Sequence, residues 1–397
     1  MVRILILGGS FAGLTAALEL KRKLPSAHVI LASRTDRFWF IPSLIWVPFG
    51  RRTSAQMSFP LAPVLKKAGV EFRLDEATRI HPDRGEVKFA KSGTMRYDKL
   101  LIATGPAYDY GIVPGLKEHA YGPWNITEAE RMGAAWKEFL KDPGPIIVGG
   151  TQKASCFGAG YELLFNIEHQ LRKAGIRKKV ALTYVTAEPF PSHFGIGGMA
   201  GGKTLVGGFF KMRHIACITN ASMSRVEKDK VVLGDGRELP CRFAVIVPPF
   251  IGAEVVRASG LGNDRGFIPV DDSYRHKDWP DIYAAGIAAA VPPPPGKTAV
   301  PVGVPKTGFM SEVMARVAVD NILRSLAGKK PRPKPFTAIT PLCVMDAGDM
   351  EVWIAGSKMY PRRGLSVMIP NPFGDWAKRL FEKYYLWKMR TGRAWLP

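Results

Sequence analysis

The stretch Met1-Val-Arg-Ile-Leu-Ile-Leu7, running directly into Gly8-Gly-Ser-Phe-Ala-Gly13, decides the fold. Val2–Leu7 reads as a buried parallel strand, and the residues after the glycines, through Leu24, read as a helix. Strand, glycine turn and helix in this order make the dinucleotide-binding fingerprint, whose turn lets backbone approach a pyrophosphate. The fingerprint asks for glycines at 8, 10 and 13. Ser10 holds the middle place, a small and tolerable departure. Glycine-rich turns also occur without a nucleotide, so the segments further along the chain carry weight.

Ala27–Ala32 reads as a second strand. At its end, where an acidic residue would hold an adenosine ribose, stand Ser33 and Arg34. Tyr97–Gly105 reads as a strand closing on Ala103-Thr104-Gly105, and Asp281-Ile-Tyr-Ala-Ala-Gly286 leads into Ile287 and an Ala-rich run. These elements, in this order, resemble the two-dinucleotide-fold flavoprotein superfamily. The resemblance implies an α/β chain with two Rossmann-like dinucleotide-binding domains of the disulfide-reductase type. It also implies FAD held by Gly8, Gly9, Ser10, Phe11, Ala12, Gly13, Ser33, Arg34, Ala103, Thr104, Gly105, Gly286 and Ile287. The expected division is 1–108 and 240–325 for the FAD domain and 109–239 for the second dinucleotide fold. Residues 335–397 would cap the flavin and meet a membrane surface.

Three further segments narrow the resemblance. Ile287-Ala-Ala-Ala-Val-Pro-Pro-Pro-Pro with Val302-Gly-Val-Pro-Lys-Thr-Gly-Phe-Met310, Phe38-Trp-Phe-Ile-Pro-Ser-Leu-Ile-Trp46, and Phe381-Glu-Lys-Tyr-Tyr-Leu-Trp-Lys-Met389 are similar to the sulfide:quinone oxidoreductase family. By that resemblance Lys306, Thr307 and Gly308 lie near the flavin ring, where a lysine charge would favour the anionic reduced form.

The same resemblance assigns a redox pair. Cys156 follows the strand Pro145–Val148 and its glycine turn, near an expected helix start that would favour its thiolate. Cys343 lies in Pro341-Leu-Cys-Val-Met-Asp346. A lone cysteine is usually a small buried hydrophobe; matching flanks set these two apart, while Cys217 and Cys241 stay structural. The resemblance implies that hydrosulfide opens a Cys156–Cys343 disulfide, or a sulfur-bridged form of it, with Cys343 nearer the flavin. Glu162 and His193 are implied as proton carriers. Many family members carry a third cysteine, in some tethered to the flavin. Here Trp124-Asn125-Ile126-Thr127-Glu128 fills that neighbourhood and no cysteine precedes Cys156. FAD free of a cysteine tether is expected.

The chain has 56 Lys+Arg against 34 Asp+Glu, a formal charge of +22. Such a field attracts anionic lipid, nucleic acid or a small anion; no nucleic-acid-binding signature is present. No signal peptide precedes the first strand and no apolar run is long enough to span a bilayer. Four cysteines at these spacings make neither a disulfide scaffold nor a zinc site, so no metal is expected. Gly374–Arg390 has helical period. Trp376, Ala377, Leu380, Phe381, Tyr384 and Trp387 share one face; Asp375, Lys378, Arg379, Glu382, Lys383 and Arg390 share the other. That pattern suits an in-plane helix on an anionic lipid surface, with Phe373 and Tyr384 lining a quinone site. The expectation is a peripheral, monotopic membrane protein on the cytoplasmic side, acting on hydrosulfide and a membrane quinone, and possibly homo-oligomeric.

Three rivals stand beside it. A type II NADH:quinone dehydrogenase would need a nicotinamide site, yet the second turn reads Gly149-Gly-Thr-Gln-Lys-Ala154 without the glycine fingerprint. The flavin subunit of flavocytochrome c sulfide dehydrogenase works outside the cytoplasm with a haem partner. Gly197-Gly-Met-Ala-Gly-Gly-Lys-Thr204 satisfies the P-loop pattern, but no strand leads into it and Gly207-Gly208 weakens the helix it requires.

Overall fold

The computed structural model describes residues 1–293, 296–360 and 365–396. Pro294 and Pro295, the end of the proline run, lie outside the described residues. Two parallel sheets form the body. In the first, the strands Ile282–Ala284, Lys99–Ile102, Arg3–Leu7, His28–Ser33 and Glu71–Leu74 lie side by side in that order. The residues Ile4–Leu7 and Leu100–Ile102 are buried on both faces, which is why they read as unbroken apolar runs. The helix Phe11–Lys23 follows the first glycine turn, with Lys21, Arg22 and Lys23 in its last turn, where cations oppose the helix dipole. It packs on the helix Gly308–Leu326. A Cβ on Gly308 would come 2.5 Å from the Phe11 ring, so glycine permits the close approach there.

The second sheet orders Ala120–Tyr121, Phe243–Val247, Ile146–Gly150, Leu182–Thr186 and Ala216–Ile218, again all parallel. Phe243–Val247 lies beyond the boundary expected near 239, because its hydrogen bonds go to Ile146–Gly150. Two antiparallel linkers, Pro106–Tyr108 and Phe250–Gly252, pair where the chain crosses between the sheets. A third, antiparallel sheet of Leu342–Asp346, Glu351–Gly356 and Ser366–Asn371 carries Cys343 opposite Ile354.

Two expectations about helices need correction. Gly202–Met212 is helical despite Gly207 and Gly208, since its buried Val206, Phe209 and Phe210 anchor one face. The strand before it ends at Thr186, so the strand-to-loop geometry of a P-loop is missing. The C-terminal helix forms over Trp376–Arg390, but its charged residues do not share one face: Arg379, Lys383 and Arg390 are exposed beside Trp376 rather than opposite it, while Lys378, Glu382 and Lys388 are buried. Their partners come from other segments. Lys378 pairs with Glu162, Arg52 Nε lies 2.9 Å from Glu382, and Lys388 Nζ lies 2.9 Å from Glu312. The apolar side is exposed instead, with Trp376 at 50%, Leu380 at 58% and Trp387 at 45%. No described helix is long and apolar enough to cross a membrane.

Candidate active site

The first glycine turn is built around backbone contact. A Cβ at Gly8 would collide with the Ala103 carbonyl, and one at Gly13 with the carbonyl of Gly8. A Cβ at Gly9 would come 2.6 Å from Leu61 and 3.1 Å from the Ser33 hydroxyl, so Ser33 stands beside the turn. Its hydroxyl also accepts from the Thr35 N–H at 3.2 Å. Arg34 points away, 3.7 Å from Glu76 at the surface. The Thr104 hydroxyl is buried with no protein partner among the described residues, and next to it Gly105 adopts φ +72° with open space beyond. A stripped cradle and an orphaned hydroxyl at the strand ends fit a dinucleotide lying across Ser10–Gly13 and Ala103–Gly105.

Gly286 takes φ +70° and faces Ser311 and Ala12. Lys306 is buried under this turn and donates 2.8 Å hydrogen bonds to the carbonyls of Ile287 and Ala289. Burial, reinforced by Arg265, lowers its ammonium to about 7. Where the resemblance sets a lysine charge near the flavin, the side chain is held by two carbonyls, 4.1 Å over the Phe267 ring, and burial disfavours its charged form. Thr307 caps the helix that begins at Gly308.

Cys156 is the N-cap of the helix Phe157–Lys173, as the sequence implies. The thiolate is nonetheless disfavoured. Burial raises the thiol more than the Ala159 N–H lowers it, and the nearby Glu162 carboxylate adds to the rise, against smaller help from Lys378. Cys343 is surface-accessible, yet the protein packed around it still desolvates its charged form. With Glu162 nearby and Cys156 contributing, its thiol rises to about 12. Both sulfurs therefore share one electrostatic setting, made by Glu162 on the cysteine helix and Lys378 on the C-terminal helix.

That setting is a buried network. Glu162 accepts from Lys378 and, at 2.8 Å, from the Asp346 N–H. Asp346 accepts from Trp46 Nε1 and, at 3.1 Å, from Arg51, which also reaches Asn166 at 2.7 Å and pairs with Asp375. Burial raises the Glu162 carboxyl more than Lys378 lowers it, and for Lys378 the charges of Glu162 and Asp346 outweigh burial. Both groups move up, so the pair holds its protons more firmly than either group would in water.

His193 is buried in the loop after Leu182–Thr186, where its Nδ1 lies 3.2 Å from the Gly195 N–H and its ring meets Phe190 edge-on at 5.3 Å. That loop hangs on a group the sequence reading passed over. Glu188 is fully buried and accepts from the Tyr161 hydroxyl at 2.7 Å and the Phe194 N–H at 2.6 Å, with Thr186 Oγ1 at 3.0 Å. Burial pushes its carboxyl up to about 7 although these donors pull the other way. Phe373 is 83% exposed on the loop before the C-terminal helix, and the Tyr384 ring, eight residues past Trp376, lies tilted by 35° against Trp387 at 6.0 Å. Trp353 and Trp376 meet edge-on at 6.3 Å where the third sheet adjoins this helix. Lys378, Asp346 and Glu188 were not selected from sequence. Asp346, three residues from Cys343, was the one with a local signal.

The second dinucleotide turn is closed by the chain itself. Lys153 N–H donates to the Pro301 carbonyl at 2.6 Å and Gly303 N–H donates to the Ala154 carbonyl at 2.7 Å. Backbone that would face a nicotinamide pyrophosphate is spent on residues 301–303.

Residues 2–310 match the pyridine nucleotide-disulphide oxidoreductase family. The chain is 32% identical over 396 residues to the sulfide-quinone reductase of Aquifex aeolicus, covering 98% of this chain and 91% of that one. It is 23% identical over 330 residues to the mouse mitochondrial sulfide:quinone oxidoreductase, covering 79% and 71%. The solved structure of the sulfide:quinone oxidoreductase from Aquifex aeolicus superposes with a TM-score of 0.94 at 32% identity, covering 99% of this chain and 92% of that one.

Proposed function

The chain belongs to the sulfide:quinone oxidoreductase family, and from that membership we propose which of its residues carry the reaction. It is an FAD-dependent oxidoreductase that moves electrons from sulfide to a quinone. The observation that carries the proposal is the shared Glu162–Lys378 field around Cys156 and Cys343. Hydrosulfide, drawn by the positive field, attacks one sulfur of a Cys156–Cys343 disulfide. The S–S bond breaks, one cysteine becomes a persulfide and the other leaves as a thiolate with the bonding pair. Lys378 steadies that anion, and Glu162, with its raised carboxyl, takes or returns the proton. FAD, when bound, would supply the two-electron acceptor between the cysteine sulfurs and the quinone. Gly8–Gly13, Ser33, Thr104 and the Gly286–Ile287 turn would hold the FAD, and Lys306 fixes that turn by its two carbonyl bonds. His193 is the second proton carrier, and Arg34, at the end of His28–Ser33, would meet the adenosine end of the FAD.

With no cysteine before Cys156, the FAD is held without a thioether. The exposed face of the C-terminal helix, with Phe373 and Tyr384, lies against a membrane and admits the quinone. Anaerobic mixing with sulfide or NADH, read at the flavin absorbance, tests the whole. Sulfide should bleach the flavin and NADH should not, given the closed second turn; the reverse outcome overturns the reading.

A further inference from the structure

Beside the end of the C-terminal helix is a cleft of about 490 Å³ that the reaction does not use. Its walls come from three separate segments: Arg37 and Phe59 of a short hairpin, Pro63 and Lys67 of the helix Leu61–Ala68, and Arg390. Three cations line it and no Asp or Glu does. Arg37 Nε donates to Ser58 Oγ at 3.1 Å, while the Arg390 guanidinium sits 5.7 Å over the Phe59 ring. A ligand meeting two guanidinium forks, an ammonium and an apolar floor is an anion with a greasy neighbour.

The position of Arg390 on the C-terminal helix identifies the source. Arg390 is fourteen residues from Trp376 and three from Trp387. At 100° per residue it falls within about 60° of both on the helix surface. It therefore continues the exposed stripe of Trp376, Leu380 and Trp387. Cations at the rim of an apolar face stand at headgroup height when that face enters a bilayer. We propose that Arg37, Lys67 and Arg390 form a specific site for the phosphate of an anionic phospholipid, seating the enzyme on the membrane. This rests on the membrane attachment of the C-terminal helix proposed above.

The test is co-sedimentation of the flavin-loaded enzyme with vesicles of phosphatidylcholine alone or in equal mixture with phosphatidylglycerol. Wild type should favour the mixture. Arg37→Gln/Lys67→Gln/Arg390→Gln should lose about a hundredfold of that preference, roughly fivefold per cation. A control that removes the exposed Lys117, Lys178 and Lys228 should lose less than about threefold. Lys67→Glu alone, at an exposed position, guards against misfolding in the triple variant and should show a partial loss. Equal losses from both triple variants would make the effect diffuse charge and overturn the site. Equal binding of wild type to both vesicle types would overturn it too and leave the attachment standing. Binding to neither would remove the attachment itself. If glycerol phosphate saturates the cleft and the vesicle preference survives, the site takes a free phosphate ester, and the lipid assignment is wrong.

Discussion

Cys343 has the sharper test of the two cysteines proposed to react, because it is accessible while its thiol is pushed up to about 12. Cys343→Ser should keep FAD bound, since the cradle at Gly8–Gly13 and Thr104 is remote in sequence. Sulfide-driven flavin bleaching should fall by roughly a thousandfold or more, because a hydroxyl forms no disulfide to attack. Stopped-flow absorbance checks this, and retained bleaching removes Cys343 from the mechanism. Glu188 makes a different kind of prediction. Its carboxyl lies near 7 in the fold against an ordinary value of 4.5, so the folded state holds the extra proton. Stability from this group is complete below pH about 4.5 and declines as pH rises to about 7, by roughly 3 kcal/mol in all. Glu188→Gln should flatten that slope in denaturant unfolding measured across the window. An unchanged slope would show that the carboxyl titrates normally.

Among the elements, the C-terminal helix departs most from its sequence pattern. The sequence pattern sets one apolar face against one charged face, but at 100° per residue Arg379, Lys383 and Arg390 fall beside Trp376 and Trp387. The protein itself receives Lys378 and Lys388, because Glu162 and Glu312 on distant helices neutralise them. Removing one member of such a pair leaves a buried charge alone. Lys378→Met should therefore destabilise the protein by about 3–5 kcal/mol, and adding Glu162→Gln should restore much of that. Thermal unfolding of the two variants, with wild type, measures it; additive losses would show that the pair is not coupled. Because the Glu162 charge also acts on both cysteines, this docking couples the C-terminal helix to the setting of the two sulfurs.

At the scale of the whole molecule, two parallel sheets, one open turn and one closed turn define what enters. The first turn is bare backbone with an orphaned Thr104 hydroxyl, and the second is bonded to residues 301–303. The FAD side is therefore the turn whose backbone stays open to a dinucleotide, as the proposed function requires. Denaturing the enzyme in acid should release all of the flavin into the supernatant, as no cysteine stands near residue 125 to hold it. Flavin that stays with the precipitated protein would mean another covalent attachment.

The local sequence determined the strand–turn–helix units, the FAD-side glycines and the two candidate cysteines, because backbone approach, apolar periodicity and motif flanks are short-range properties. Only the tertiary structure decided that Phe243–Val247 belongs to the second sheet, that Lys306 is held by two carbonyls, and that Cys156 sits among charges which offset its helix. It likewise turned Lys378 inward and left Arg37, Lys67 and Arg390 around one cleft. Each of these depends on desolvation and on charges brought together from distant parts of the chain, and no window of sequence contains both partners.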